Sequence, residues 1–207
     1  VAAAERALKE NIVVAAETGA GKTLVACLAA ERAVTRGKVA FIVPVSRLLA
    51  HQQYVRIRDF LASAEQEDGK PSRVREITGY TASCWGEREW EDCCERSDVL
   101  VGTAELFRQA FVDCGWLRLA DFSLIVVDEC HHAGGESGVA EVLMRLHYDQ
   151  STLRRRCSDR TRVLGLTASL AGAQAKTRSD FVDARQDLLD AMQALVEPCR
   201  GLEPRRP

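Results

Sequence analysis

The chain has 207 residues, of which 46% are hydrophobic and 28% are charged, and its formal net charge is -2. This is the composition of a folded globular protein, and it excludes a disordered or fibrous chain. The near-neutral charge excludes an overall basic field, although a few local basic side chains and backbone N–H groups could still bind a nucleic acid. Because no apolar segment is long enough to cross a bilayer, the sequence predicts no membrane partner and an intracellular location, cytoplasmic with the nucleus as the alternative.

Six apolar runs of strand length are separated by segments with helical periodicity. In chain order these runs are NIVVAA at 11–16, VAFIVP at 39–44, VREIT at 74–78, DVLVGT at 98–103, LIVVD at 124–128 and RVLGLT at 162–167. Near-continuous Val, Ile and Leu without polar alternation is typical of parallel strands that are covered on both faces. The sequence therefore predicts an α/β fold, a doubly wound, mostly parallel sheet with helices on both faces. Ligands of such sheets bind at the carboxyl ends of the strands.

The C-terminal part of the chain has a helical pattern. In SDFVDARQDLLDAMQALVE at 179–197, the apolar residues Phe181, Leu188, Met192 and Leu195 recur near one face, which predicts a helix packed against the domain. The last residues are rich in Pro and Arg and resemble a linker. The predicted division is a main α/β domain at 1–170, a C-terminal helix packed on it at 171–197 and a linker at 198–207.

The eight cysteines do not have the spacing of a disulfide framework or a zinc site. There is no CxxC pair, Cys93 and Cys94 are adjacent, and Cys27 falls within an apolar helical run. We therefore expect free, reduced thiols and no zinc.

The first chemical motif is AETGAGKT at 16–23, between the first predicted strand and a predicted helix. This is the context of a phosphate-binding loop, in which glycines let successive backbone N–H groups face a phosphate at a helix N-terminus. Lys22 would contact the β- and γ-phosphates of ATP, and Thr23 would hold Mg²⁺. The strict pattern opens with Gly, and Ala16 stands there. The simpler interpretation is a glycine turn with an exposed lysine. The residues expected to bind the nucleotide are Thr18, Gly19, Ala20, Gly21, Lys22 and Thr23.

The second motif is LIVVDECHHAGG at 124–135, where an apolar strand runs directly into two acids. Asp128, at the strand end, would hold Mg²⁺, and Glu129 would orient and activate the water that attacks the γ-phosphate. A zinc site built from Cys130 and the histidines that follow it is the competing interpretation. Adjacent residues leaving a strand point in different directions, so the sequence favours Mg²⁺.

Four motifs in order resemble those of superfamily 2 helicases of the DExH type. DECH at 128–131 is similar to the second motif and LTAS at 166–169 to the third, while VPVSRLLAHQQ at 43–53 and VLVGTAELF at 99–107 are similar to motifs that contact nucleic acid. The resemblance covers about residues 11–170. It implies the first RecA-like lobe of a phosphate-loop NTPase that uses ATP and Mg²⁺.

Within that superfamily, residues 85–133 look most like the helicase module of Dicer and Dicer-like proteins. This resemblance implies an ATP-dependent motor that moves along RNA, with double-stranded RNA as its partner. Two departures limit the resemblance. Glu17 stands where many Dicer relatives have Pro, and the upstream glutamine motif that recognises adenine has no counterpart after Val1.

The resemblance also implies roles for individual residues. His131, grouped with the catalytic residues Lys22, Asp128 and Glu129, would couple the nucleotide site to Thr167 and Ser169, which could bond to the strand-end acids. A capping network that only orders the strand tips is the simpler interpretation. The residues expected to contact the RNA sugar-phosphate chain are Pro44, Ser46, Arg47, Thr78, Gly79 and Thr103. For Arg47 alone, a solvated charge at a helix start is an equal alternative.

Three other interpretations remain for the function. A DNA repair translocase and an antiviral-type RNA sensor ATPase belong to the same superfamily, and a degenerate lobe could serve as a binding scaffold. The chain begins with Val1 rather than Met, which suggests a piece of a longer protein. A second RecA-like lobe in the same parent chain would supply the arginine finger that phosphoryl transfer needs.

Overall fold

The computed structural model describes residues 1–44, 46–64, 71–133, 137–152, 160–170, 178–193 and 195–198. Within these ranges one sheet contains seven strands in the order β3-β4-β2-β5-β6-β1-β7, and each neighbouring pair is parallel. The strands are β1 (Ile12–Ala15), β2 (Lys38–Val43), β3 (Val74–Ile77), β4 (Val99–Thr103), β5 (Phe122–Val127), β6 (Arg162–Thr167) and β7 (Leu195–Pro198).

Eight α-helices connect these strands in the described part of the chain. They are α1 (Ala2–Ala7), α2 (Lys22–Ala33), α3 (Arg47–Ser63), α4 (Gly79–Ala82), α5 (Glu87–Glu95), α6 (Ala104–Arg108), α7 (Gly138–Thr152) and α8 (Arg178–Met192). A π-helical turn at Gln109–Asp113 extends α6, and short 3-10 turns lie at Leu119–Asp121 and Cys130–His132.

The sheet is covered on both faces, because alternate residues of its central strands enter two separate cores. Val14, Phe41 and Val126 pack with residues of α1, α2 and α3 on one face. Ile42 and Val127 pack with residues of α5 to α8 on the other face. Residues on both faces of a strand are therefore apolar, which explains the unbroken runs of the sequence. The doubly wound α/β fold is confirmed.

The first six strands were predicted to within two residues, but the seventh was not. The helical pattern was extended to residue 197, whereas α8 ends at Met192 and Leu195 lies in β7, opposite Ile12 of β1. The prediction was wrong there because Leu195 follows Met192 at helical spacing. Its physical role is instead to add a parallel strand beside β1.

Helix α8 packs on the domain, as its apolar pattern predicted. Leu188 and Met192 are buried in the core formed by α5 to α8, and the Ala191 carbonyl lies 3.2 Å from Nε2 of His147 on α7. Asn11 donates a hydrogen bond to the Met192 carbonyl at 3.3 Å. The side chain of Phe181 and residues 199–207 of the expected linker lie outside the described residues.

Six of the eight cysteines belong to the described residues, and all six are free thiols. Four of them are buried in the two cores, and Cys84 and Cys114 are exposed. Burial raises the pKa of the Cys27 thiol to about 11. Among the described residues, no helix is long and apolar enough to cross a membrane.

Candidate functional site

The carboxyl edge of the sheet brings the predicted site residues together in two groups. The phosphate loop follows β1, the DECH stretch follows β5 and Thr167 ends β6, and these three strands are neighbours in the sheet. The residues predicted to contact nucleic acid follow β2, β3 and β4, which form the other half of the same edge. The boundary between the two groups lies between β2 and β5.

The phosphate loop has the backbone shape that a phosphate cradle requires. Gly19 and Gly21 have φ angles of 86° and 85°, a region that side chains with a Cβ rarely adopt. A Cβ added at either glycine would meet nothing within 4 Å, so conformation and not space demands glycine. Gly21 is the N-cap of the 12-residue helix α2. The loop therefore places Thr18 to Thr23 at a helix N-terminus, where the helix dipole favours an anion.

Lys22, the first residue of α2, folds back over the loop. Its Nζ donates hydrogen bonds to the carbonyls of Ala16 at 2.7 Å and Glu17 at 3.1 Å. The backbone N–H of Ala16 donates to the Thr167 carbonyl at 3.1 Å, which joins the start of the loop to the end of β6. Ala16 thus occupies the place of the missing first glycine without disturbing the strand end.

Asp128 is buried at the end of β5, with a relative exposure of 7%. Its Oδ1 accepts a hydrogen bond from the Glu129 N–H at 3.1 Å, and its Oδ2 accepts one from Nε2 of Gln53 at 2.6 Å. Burial raises the pKa of the Asp128 carboxyl, the Gln53 hydrogen bond opposes that rise, and the nearby charge of Lys22 lowers the pKa as well. The lysine of the loop and the buried acid therefore belong to one electrostatic site.

Sequence analysis missed Gln53, although the sequence carries a signal for it. Gln53 lies on α3 at helical spacing from the buried residues Ala50, Ile57 and Leu61, so it is a polar residue on an otherwise apolar face. Its side chain is 6% exposed. A buried polar side chain needs a partner, and in this case the partner is Asp128.

The DECH stretch leaves β5 through a tight turn. Glu129 has a φ of 45°, which is uncommon for a residue with a side chain. This turn directs Cys130 into the core, where a Cβ added at Gly165 would lie 2.8 Å from its Sγ. Cys130 and His131 therefore face different neighbours. Among the described residues, no group of three or more His, Cys, Asp or Glu side chains could hold a metal ion.

His131 joins the DECH turn to the end of β6. Its Nδ1 lies 2.9 Å from Oγ1 of Thr167 and 3.3 Å from Oε2 of Glu129. Because the Thr167 hydroxyl donates to the Ser169 carbonyl at 2.6 Å, its proton is in use, and we assign a proton on Nδ1 that His131 shares between Thr167 and Glu129. Burial lowers the pKa of His131, so the neutral ring is favoured.

The expected bonds from Thr167 to the strand-end acids are not formed. Thr167 instead contacts His131 and accepts a hydrogen bond from the Ser169 N–H at 3.1 Å. The physical reason is the position of His131, whose Nδ1 lies within reach of both the Thr167 hydroxyl and the carboxylate of Glu129. The imidazole therefore links Thr167 to Glu129.

The predicted nucleic-acid contacts lie at the ends of three adjacent strands. Ser46 is the N-cap of the 17-residue helix α3, where its hydroxyl accepts a hydrogen bond from the Leu49 N–H at 3.2 Å. Arg47 is exposed, Pro44 directly follows β2, and Thr103 ends β4. The residues expected to contact nucleic acid other than Arg47 are half-buried along this edge of the sheet.

The segment after β3 forms a capped helical turn. Thr78 caps α4 through a reciprocal pair of hydrogen bonds with Thr81, and Gly79 begins that helix. The hydroxyl of Thr78 is thus already engaged, and the exposed Tyr80 follows it with 90% relative exposure. Sequence analysis did not single out Tyr80. An exposed aromatic ring beside backbone-contact residues would be its only signal.

A cavity of about 880 Å³ lies elsewhere. It is lined by residues such as Lys38, Asp98 and Asp121, at the starts of β2, β4 and β5, together with Glu91 and Trp116. It therefore opens at the amino edge of the sheet, opposite the phosphate loop. Lys38 uses its ammonium to bond the carbonyls of Cys94 and Ser97 there.

Comparison with known proteins agrees with the geometry of the carboxyl edge. The profile of the DEAD/DEAH box helicase family matches residues 1–177. The chain belongs to the DEAD/DEAH box helicase family. Nucleotide binding with a divalent metal and ATP-dependent helicase or nucleoside triphosphatase activity are what membership of this family implies.

The relatives of this helicase domain include Dicer-like proteins, which confirms the resemblance stated above. This chain is 28% identical over 191 residues to Dicer-like protein 1 of Aspergillus fumigatus, and the match covers 87% of this chain and 11% of that protein. It is 30% identical over 173 residues to Endoribonuclease Dicer homolog 3b of Oryza sativa subsp. japonica, covering 80% of this chain and 10% of that protein. The helicase domain thus spans about a tenth of these relatives.

A solved structure shows the same fold. The Hef helicase domain of Pyrococcus furiosus superposes on this chain with a TM-score of 0.69 at 23% sequence identity. The match covers 94% of this chain and 36% of the other one. The fold of the domain is therefore shared with that helicase domain.

Proposed function

We propose that the chain is the ATP-binding and ATP-hydrolysing lobe of a DExH-box RNA helicase or translocase, the motor of a Dicer-like protein that acts on double-stranded RNA in RNA silencing. The observation that carries this proposal is the arrangement at the carboxyl edge. A glycine loop with left-handed backbone, a lysine, a buried acid and a His–Thr contact lie at the ends of three neighbouring strands, and the half-buried or exposed residues expected to contact nucleic acid lie at the ends of the three strands beside them.

The residues fit a nucleotide and its magnesium ion. The loop from Thr18 to Thr23 offers backbone N–H groups at the N-terminus of α2, and Lys22 has a mobile ammonium that now bonds two loop carbonyls. A phosphate would take over those contacts. The carboxylate of Asp128 and the hydroxyl of Thr23 are hard oxygen donors, the kind that Mg²⁺ prefers. When bound, Mg²⁺ neutralises charge on the phosphate oxygens.

Each residue of the site then has one task. Lys22 holds and neutralises the terminal phosphates, while Asp128 fixes the position of the metal. Glu129 accepts a proton from the attacking water, since its carboxylate is two residues beyond the end of β5 and is part-exposed. His131 orients that carboxylate through Nδ1 and ties it to Thr167, so a change at either residue reaches the other.

RNA would lie across the other half of the edge. Pro44, Ser46, Arg47, Thr78, Gly79 and Thr103 supply backbone groups, hydroxyls and one guanidinium. Contacts of this kind hold a sugar-phosphate chain without reading its bases. The same row of groups could hold DNA, and the identity of the strand is therefore decided by experiment.

Full activity requires a second RecA-like lobe, which would close over the nucleotide and supply an arginine finger. We therefore expect the 207-residue chain alone to bind ATP weakly and to hydrolyse it slowly. Hydrolysis by the lone chain at the rate of the full-length protein, abolished by Glu129→Gln, would show that no second lobe is needed.

The test of the substrate is nucleic-acid stimulation of the ATPase. ATP hydrolysis by the full-length protein is measured alone, with a blunt-ended RNA duplex and with a DNA duplex of the same sequence. The proposal predicts stimulation by the RNA duplex. Stimulation by the DNA duplex alone would identify a DNA translocase, and ATP binding without stimulation by either duplex would favour a scaffold.

A further inference from the structure

Helix α3 reaches both halves of the carboxyl edge of the sheet. Its N-terminus follows β2 and carries Ser46 and Arg47, which we assign to the nucleic-acid side. Two turns further along, the side chain of Gln53 reaches Asp128 on the nucleotide side. The helix thus spans the boundary between β2 and β5.

The backbone beneath this contact is continuous. Ile42 of β2 pairs with Val127 of β5, and the Asp128 N–H donates to the Ile42 carbonyl at 3.0 Å. Strands β2 and β5 therefore hold the Asp128 backbone fixed relative to the start of the loop that leads into α3. The Asp128 side chain is held separately, by the Glu129 N–H at Oδ1 and by Gln53 at Oδ2.

The orientation of the Gln53 amide is determined by its surroundings. Nε2 donates to Oδ2 of Asp128 at 2.6 Å, whereas Oε1 is buried without a hydrogen-bond partner among the described residues. A flipped amide would place Oε1 against the carboxylate and repel it. A buried hydrogen-bond acceptor without a partner costs free energy of folding. The packing of α3 therefore gives no reason of its own for a polar side chain at position 53.

Gln53 differs from its neighbour Gln52 in burial, and the packing of α3 does not require a polar residue at position 53. Gln52 is the same residue type on the same helix, but its side chain is exposed. The other buried residues of the face, Ala50, Ile57 and Leu61, are apolar. A Met or Leu at position 53 would suit that face better, which indicates that the amide serves Asp128.

We propose that Gln53 is a positioning residue that transmits nucleic-acid binding at the N-terminus of α3 to the metal-holding carboxylate of Asp128. A small shift of α3 on nucleic-acid binding moves the amide, because a helix transmits displacement along its axis, and the carboxylate follows. This inference rests on the proposed function. It adds one residue, Gln53, and one route of communication to the proposed function. That route is separate from the contact between His131 and Thr167.

The test compares Gln53→Met with the matched control Gln52→Met in the full-length protein. Methionine keeps the length of the side chain and removes the hydrogen bond. Four quantities are measured for each variant: kcat for ATP without and with a blunt-ended RNA duplex, KM for ATP, Kd for the duplex, and the melting temperature. A DNA duplex is tested in parallel.

In Gln53→Met the ratio of stimulated to basal kcat should fall about tenfold or more, the scale of one lost hydrogen bond to a charged group. The Kd for the duplex and the KM for ATP should stay within about twofold of the control, because neither ligand touches the amide. Gln52→Met should keep the wild-type ratio. If Gln53→Met does not fold, Gln53→Leu, which removes the donor and suits the apolar face of α3, takes its place with the same expected loss.

An unchanged stimulation ratio in Gln53→Met overturns the inference. A parallel loss of basal rate, duplex affinity and melting temperature also overturns it, because that pattern marks a structural role only. If the wild-type protein responds to neither duplex, the proposed function itself fails. The two failures are therefore distinguishable.

Discussion

Gly165→Ala tests how the DECH turn is seated on the sheet. Gly165 lies in β6 between Val13 of β1 and Val127 of β5. A Cβ at this position would lie 2.7 Å from the methyl of Met192, 2.8 Å from Sγ of Cys130 and 3.2 Å from Cγ2 of Val13. The first two distances are shorter than real Cβ atoms show, so neighbouring groups must move.

The magnitude follows from which group can move. The Met192 methyl ends a flexible side chain and can rotate away, whereas the Cys130 thiol is on a short side chain in a 3-10 turn. We therefore expect an overpacking cost of about 1–3 kcal/mol. At about 2–4 °C per kcal/mol for a domain of this size, the melting temperature should fall by about 2–12 °C. The displaced turn carries Glu129, so ATP hydrolysis should fall as well.

The assay is thermal unfolding followed by circular dichroism, together with ATPase activity. Gly138→Ala is the control, because a Cβ there would make only ordinary contacts at 3.5–3.6 Å with Ala104. Adding Cys130→Ala to Gly165→Ala should restore part of the lost stability by removing the thiol. A Gly165→Ala variant that melts and hydrolyses ATP like the wild type would refute the packing argument.

Three further predictions concern the site itself. Lys22→Ala should weaken ATP binding at least about tenfold, as expected for a lost charge-assisted hydrogen bond, and a fluorescent-nucleotide titration with unchanged affinity would contradict it. Asp128→Asn should abolish hydrolysis yet raise the melting temperature in metal-free buffer, because burial of the charged carboxyl raises its pKa and disfavours folding at neutral pH; a lower melting temperature opposes this. The lowered pKa of His131 means that its contribution to stability is present above the ordinary value of 6.5 and is lost as the pH falls through the native pKa. His131→Gln should flatten that part of the stability profile, while His147, which shares the direction of shift, still contributes.

The sheet could be predicted because its central strands are buried on both faces. Runs such as VAFIVP have no polar alternation, and the structure gives each of the six predicted runs a parallel strand. Strand β7 escaped prediction because four residues at the edge carry too little pattern of their own. Leu195 follows Met192 at helical spacing, and only pairing with β1 makes it a strand.

Site residues that belong to a recognisable sequence motif could be predicted. A residue that reaches the site from an element distant in the sequence could not. Gly19, Gly21 and Lys22 follow from the loop pattern, and the link between His131 and Thr167 follows from the resemblance to helicases. The contact between Gln53 and Asp128 joins residues 75 positions apart. Gln53 and Gln52 are the same residue type, and the only sequence signal that separates them is the helical spacing of Gln53 from the apolar residues of α3.

The central claim is that Glu129 takes the proton of a water that attacks ATP on this lobe. The direct measurement is steady-state ATP hydrolysis by the full-length protein and by Glu129→Gln, each with a blunt-ended RNA duplex. We predict hydrolysis in the wild type and a loss of about a hundredfold or more in the variant, the scale of general-base catalysis, with ATP affinity retained. Equal rates in the two proteins, or no hydrolysis by the wild type, would contradict the account.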